Sequence, residues 1–278
     1  MPNTPVHSSV ASLMPIARSG NPSQFLDIAV DPVTKHQLNR AVLGAIRGGR
    51  RTIIANHNLH SLYLVHKKAA FRNFYKLADV VHADGISIVL LSALSGRPLR
   101  KEHRTTYVDW MPDLIAMAAA NHWRRFYIGS KPGVAAWGAA NLVRQWPHLQ
   151  IATQHGYFDA TRTSRGNQQL LRRIHKWQPH IVLVGMGMPR QECWIAENLS
   201  DLDCNVILAA GAAIDYIAGA VAAPPRWAGR MGLEWLFRLV NEPKRLAHRY
   251  LIEPWYIAAL IVSHFRVVAM ARLGFSLL

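Results

Sequence analysis

Four short segments carry residues suited to chemistry, and each sits where an apolar run gives way to an amphipathic one. They are Asn56-His57-Asn58, Ala83-Asp84-Gly85, Gly129-Ser130-Lys131-Pro132-Gly133 and Gly185-Met186-Gly187-Met188-Pro189-Arg190-Gln191-Glu192. The two glycine-bearing turns suit a close approach of backbone N–H groups to a phosphate at a helix N-terminus. Any one such turn says little, because strand-to-helix turns need glycine for conformational reasons alone. Gathered on one edge of one sheet, they point to a nucleotide-type pocket. Asp84 is the sharpest of these residues. A carboxylate just past a buried strand faces the ligand crevice and is partly withdrawn from water, a setting that suits a general base. The competing reading makes Asp84 the N-cap of a helix starting near Ile86.

Other chemistry is less well supported by the residues. Asp201-Leu202-Asp203 superficially matches a metal-holding Asp-x-Asp, but it precedes a strand and so falls on the sheet edge opposite the pocket, where it reads as turn chemistry. His57 and His60 are close enough in sequence to share a helix face, yet two histidines without a third ligand make a poor metal site. Cys193 and Cys204 form no disulfide framework and read as core or near-core thiols, in keeping with a reducing compartment.

The elements that must position these residues follow from hydrophobic periodicity. Strands are predicted at Phe25–Val30, Thr52–Ala55, Val80–Ala83, Arg125–Ile128, Gln150–Thr153, Ile181–Val184 and Val206–Ala210. Helical patterns fill the intervals, notably Val108–Ala120, Val134–Gln145, Gly166–Lys176 and Pro189–Leu199. A further helix is expected from Asp31-Pro32, with Asp31 as N-cap, to about Arg47, where Gly48-Gly49 stops it. Runs such as Ile-Val-Leu-Val are apolar on both faces, as in strands covered by helices on each side. The alternation predicts an α/β fold with a Rossmann-like, mostly parallel sheet, whose ligands collect at the carboxyl ends of the strands.

The chain has 278 residues, half of them hydrophobic, and 32 Lys and Arg against 16 Asp and Glu, a formal charge of +16. That excess favours a polyanionic partner: a phosphorylated substrate, an anionic membrane surface or nucleic acid. Residues 1–23 are rich in Ser, Pro and Asn, contain no apolar stretch of signal-peptide length and read as a flexible tail. Residues 24–223 form the predicted core. Near Pro224-Pro225 the composition changes, and 224–278 reads as a basic, aromatic helical appendage, with six bases and three acids between 224 and 253. Its last segment, Trp255–Leu278, has an apolar run broken by Ser263, His264, Arg266 and Arg272, which fits a helix lying in the headgroup region better than a membrane span.

Set in order, many blocks resemble one family. They include Ala78-Asp79-Val80-Val81-His82-Ala83-Asp84-Gly85, Gly96-Arg97-Pro98-Leu99, Tyr127-Ile128-Gly129-Ser130-Lys131-Pro132-Gly133 and His155-Gly156-Tyr157-Phe158. Gly187-Met188-Pro189-Arg190-Gln191-Glu192, Ala210-Gly211-Ala212-Ala213-Ile214-Asp215-Tyr216 and Gly232-Leu233-Glu234-Trp235-Leu236-Phe237-Arg238-Leu239 continue the series. The resemblance covers roughly residues 50–252. It is to the bacterial WecG/TagA/CpsF-type N-acetylmannosaminyl- and N-acetylmannosaminuronyl-transferases, which include glucosyltransferases of exopolysaccharide assembly.

The resemblance implies inverting sugar transfer from a UDP-sugar to a polyprenyl-diphosphate-linked sugar, with no metal and no cofactor. Asp84 matches the base that deprotonates the acceptor hydroxyl. Asn58, Arg104, Thr106 and Gln191 match donor-pocket positions, and Asn56, His57, Gly129, Lys131 and Gly187 are expected beside them. Arg238, Arg245 and Arg249 match a basic appendage that closes over the site and holds the acceptor diphosphate, a task suited to guanidinium. The implied setting is the bacterial cytoplasm, peripheral to the inner face of the membrane, with a homo-oligomer allowed.

Two departures concern the donor. Asn56 stands where the family usually has Thr, and the segment between Gly96 and Arg104 is longer than usual. The Asn-x-Asn sequence resembles the exopolysaccharide glucosyltransferase branch, so β-1,4 transfer of glucose from UDP-glucose is the preferred expectation. Transfer of N-acetylmannosamine or mannosaminuronic acid onto polyprenyl-diphosphate N-acetylglucosamine is the alternative. A nucleic-acid-binding module is the competing class; the bases cluster among tryptophans and no common nucleic-acid signature is present, so no nucleic-acid partner is expected. An inactive lipid-binding scaffold is disfavoured by the intact Asp84 and Gln191.

Overall fold

The computed structural model describes residues 22–221 and 234–272. Most of the flexible-tail assignment and the expected boundary near residue 223 lie outside the described residues.

The predicted first strand is a hairpin. Strands β1 (Ser23–Phe25) and β2 (Ile28–Val30) pair antiparallel across Leu26 and Asp27. Both turn residues have positive φ, 47° and 59°, as a type I′ turn requires. No glycine or asparagine marks this turn, which is why the sequence reads as one strand. Asp31 is not a cap either. Its buried carboxylate accepts from the Val81 N–H at 2.8 Å, tying the hairpin to the sheet. Thr34 caps helix α1 (Lys35–Arg47) instead, in a reciprocal capping box with Gln37.

The chain then alternates as expected. In order come β3 (Thr52–His57), α2 (Leu59–Lys67), α3 (Ala69–Leu77), β4 (Val80–Ala83), α4 (Ile86–Leu91), α5 (Tyr107–Ala120), β5 (Arg124–Gly129) and α6 (Val134–Gln145). They are followed by β6 (Gln150–Gln154), α7 (Arg165–Trp177), β7 (Ile181–Gly185), α8 (Arg190–Asn198), β8 (Val206–Ala209) and α9 (Ala213–Ile217). Strands β3 to β8 form one six-stranded sheet in the order β4-β3-β8-β7-β5-β6, every pairing parallel.

Side chains alternate across this sheet into two cores. Ile181 and Leu183 of β7 enter one with Trp110, Leu114 and Tyr127; Val182 and Val184 enter the other with Phe74, Ile174 and Trp194. All five residues of β7 are buried, so the uninterrupted apolar run has its physical cause.

The appendage comprises α10 (Glu234–Asn241), α11 (Pro243–Ala247), a π-helical turn (His248–Ile252) and α12 (Glu253–Arg272). It packs on α2. Ile257 is buried in a third apolar cluster with Leu62 and Val65, and Tyr256 meets Tyr63 edge-on at 5.3 Å. Burying an isoleucine side chain contributes about 1.5–3 kcal/mol, enough to dock this helix rather than leave it loose. Its other side stays apolar and exposed: Leu251, Ile252, Trp255, Val262 and Phe265 are all accessible, Trp255 at 76%. Among the described residues no helix is long and apolar enough to cross a membrane.

Candidate active site

A cavity of about 930 Å³ opens at the carboxyl ends of the parallel strands. Every strand of the sheet contributes to its wall: Asn56 and Asn58 from the end of β3, Asp84 after β4, Ser130 and Lys131 after β5, Gly156 and Tyr157 after β6, Gly187 and Gln191 after β7, and Gly211 after β8. The appendage supplies the remaining side with Leu246, His248, Arg249 and Glu253.

Asp84 is half-buried at the end of β4. It does not cap the following helix: Gly85, at φ 115°, occupies that position and makes no side-chain cap. The backbone N–H of Asp84 donates to the His57 carbonyl at 2.8 Å, extending the β3–β4 ladder by one step. On the neighbouring strand, buried Asn56 donates its Nδ2 to Asp84 Oδ2 at 3.2 Å. The base candidate is thus held by backbone and side chain together, facing the cavity.

Asn58 and Thr106 line the cavity while capping helices. The Asn58 Oδ1 accepts from the Ser61 N–H at 3.0 Å, and the Thr106 hydroxyl oxygen accepts from the Asp109 N–H at 3.2 Å. Gln191 is fully buried in its own first turn. Its Oε1 accepts from the Gly187 N–H at 3.1 Å and its Nε2 donates to Glu192 at 2.7 Å. Gly187 adopts φ 81°, a conformation that favours glycine, at the turn where the chain leaves β7 for α8.

Three expected site residues are placed elsewhere. The pleat turns His57 away from Asn56, and its ring stacks on Tyr75 at 4.0 Å with Nδ1 2.9 Å from the Ser61 hydroxyl. Burial, then the neighbouring His82, pushes the His57 pKa down to about 3, so this ring is a neutral core group. Arg104 does not line the cavity; it bridges to Asp109 at 3.7 Å, and its backbone joins the edge of β4 through Ala83. Gly129 packs rather than binds: a Cβ there would strike the Gly185 carbonyl and the Tyr127 hydroxyl.

Of the three arginines expected at the acceptor diphosphate, Arg249 lines the cavity. Arg238 lies on α10 and Arg245 on α11, with side chains outside the described residues. Asp201 bridges to Arg162 at 3.2 Å and does not line the cavity. Among the described residues no group of three or more His, Cys, Asp or Glu is arranged to hold a metal ion.

Four lining or supporting residues received no site role from the sequence. Tyr107, the first residue of α5, lines the cavity with a buried hydroxyl that has no hydrogen-bond partner among the described residues. Burial first, then the nearby Asp84 and Glu192 carboxyls, raises its pKa well above the usual phenol value, so it stays a proton donor. Glu192 is fully buried, and burial pushes its carboxyl up to about 7 despite the opposing Gln191 hydrogen bond. Arg190 and His60 also face the cavity. The block around Gln191 marked Arg190 and Glu192, but no spacing in the sequence signals their burial or contacts.

The family model described as glycosyl transferase WecG/TagA/CpsF family matches residues 23–269. Among similar proteins are N-acetylglucosaminyldiphosphoundecaprenol N-acetyl-beta-D-mannosaminyltransferases of Staphylococcus aureus strains MRSA252, MW2 and NCTC 8325 / PS 47. Each is 26% identical over 206 residues, spanning 70% of this chain and 78% of the relative.

Proposed function

We propose that this chain, which belongs to the glycosyl transferase WecG/TagA/CpsF family and is a glycosyltransferase, moves an N-acetylmannosamine-type sugar from a UDP-sugar onto polyprenyl-diphosphate-linked N-acetylglucosamine. The observation that carries the chemistry is Asp84, held by Asn56 at the mouth of the strand-end cavity. In this reading Asp84 takes the proton from the acceptor hydroxyl as that oxygen attacks the anomeric carbon. The UDP leaves from the opposite face, and the configuration inverts.

The diphosphate charge that develops on departure is neutralised by cations of the protein. Lys131 and Arg190 line the same cavity, and cations placed where negative charge develops stabilise the departing diphosphate. The reaction is accordingly read as needing no metal. Asn58, Thr106, Gly187 and Gln191 bind the donor, and Arg249, with Arg238 and Arg245, takes the acceptor diphosphate. The exposed apolar face of α12, beside the basic appendage, rests on an anionic membrane surface at the inner face of the cytoplasmic membrane.

The choice of N-acetylmannosamine over the glucose preferred from sequence follows the activity of the Staphylococcus aureus relatives. Glucose remains the second reading on one observation: Asn56 stands where the family usually has Thr, and it touches the catalytic carboxylate. Incubation with UDP-N-acetylmannosamine or UDP-glucose and a synthetic polyprenyl-diphosphate N-acetylglucosamine or glucose acceptor separates the two. Transfer of N-acetylmannosamine upholds the first reading and transfer of glucose alone the second. Silence with every pair removes both.

A further inference from the structure

We propose that His60 and Glu253 are positioning residues whose bond, from a half-buried imidazole to a buried carboxylate, holds the C-terminal helices, and with them Arg249, over the catalytic cavity. The inference rests on the reading above for the task of Arg249 but stands on its own geometry. The His60 Nδ1 lies 2.9 Å and 2.8 Å from the two Glu253 carboxylate oxygens, although the residues are 193 positions apart. Glu253 is only 2% exposed, and His248 approaches the same carboxylate at 3.4 Å.

Each end of this bond is tied to the site. His60 sits in the first turn of α2, two residues after Asn58, whose side chain caps that helix and lines the cavity. Glu253 opens α12 directly after the π-helical turn, and its N–H donates to the His248 carbonyl, five residues back. A regular α-helix separates such positions around its axis. The wider π turn brings them toward one side, so that His248, Arg249 and Glu253 all face the cavity. Elsewhere the docking of α12 on α2 is apolar and aromatic, with Lys67 Nζ over the Tyr256 ring at 4.2 Å, and these contacts are less directional than a hydrogen bond. A short bond to a buried carboxylate fixes both angle and register.

The test uses the full chain with His60→Ala, Glu253→Ala, their combination, and His60→Asn, whose amide nitrogen takes the place of Nδ1. Four quantities are read: kcat, KM for the polyprenyl-diphosphate acceptor, affinity for UDP, and hydrogen exchange across residues 243–262. Each disabling substitution is expected to raise acceptor KM about tenfold and speed exchange, with UDP affinity kept. The combination should do no worse than the more damaging single, since both cut one bond. His60→Asn should recover most of the loss. Unchanged exchange and KM in the singles, additive losses in the double, or a parallel loss of UDP affinity would overturn the proposal. If the wild type transfers no sugar, the proposed function fails, while exchange still decides whether the bond holds the appendage.

Discussion

Asn56 donates its side-chain amide to the Asp84 carboxylate across 3.2 Å from the adjacent parallel strand. Asn56 itself is buried, so the donor cannot swing away into water. A hydrogen bond to an ionised carboxylate contributes about 1.5–3 kcal/mol, sufficient to fix which way the carboxylate presents itself to the cavity.

Asp84→Asn keeps the size and hydrogen-bonding reach of the side chain but removes the proposed base. Turnover should fall by about 10²–10⁴-fold, the usual share of a positioned acid–base group, with UDP-sugar affinity largely kept. Single-turnover kinetics beside a binding titration check this. Near-wild-type turnover would remove Asp84 from its role.

Asn56→Thr shortens the side chain and deletes the amide that reaches Asp84. The expected result is a fall in kcat of roughly tenfold, in line with losing one charge-assisted hydrogen bond, and a changed ratio of N-acetylmannosamine to glucose transfer. Competition between the two donors in one reaction reads the ratio directly. A constant ratio would show that Asn56 orients the base without selecting the sugar.

Glu192 makes stability depend on pH with a definite sign. Its folded-state pKa, about 7, stands above the ordinary 4.5, so the folded protein retains a proton that the unfolded chain releases. The resulting stabilisation is full below about 4.5 and is lost as pH rises through about 7. The span is on the order of 3 kcal/mol. Buried neutral His57 and His82, with pKa values lowered to about 3 and about 4, act oppositely: their contribution is present above 6.5 and lost as pH falls. Comparing Glu192→Gln with wild type cancels the histidines. The melting temperature of the variant, relative to wild type, should climb between pH 5 and pH 8, and a flat difference would contradict a raised Glu192 pKa.

Trp255 is the most exposed aromatic side chain of the described appendage, next to accessible Leu251 and Ile252. Trp255→Asp puts a negative charge on that apolar face and should weaken pelleting with anionic vesicles by about tenfold or more, given the cost of immersing a carboxylate in the interface. UDP affinity should not change. Undiminished pelleting would overturn the proposal that this face rests on the membrane.

Much of this protein is settled by local sequence. Apolar runs with period two or none, alternating with period-3.6 stretches, dictate strands and helices, and glycines and caps dictate where they end. Strand ends therefore come out at Asn56, Asp84, Gly129 and Gly185, which is enough to bring Asp84, Asn58 and Gln191 to one edge. The misses share one cause. A strand places alternate side chains on opposite faces, so His57 falls into the core beside Asn56 in the site. Leu26-Asp27 turns because the hairpin packs on β4, without the residues that normally favour such a turn. Arg104 goes to Asp109, Glu192 is stripped of water by the helices around it, and His60 finds Glu253 across 193 residues. Those are contacts between segments that the sequence places far apart or on unmarked faces. Only the packing of one element on another decides them, because burial and proximity are properties of the assembled layers and not of any single stretch.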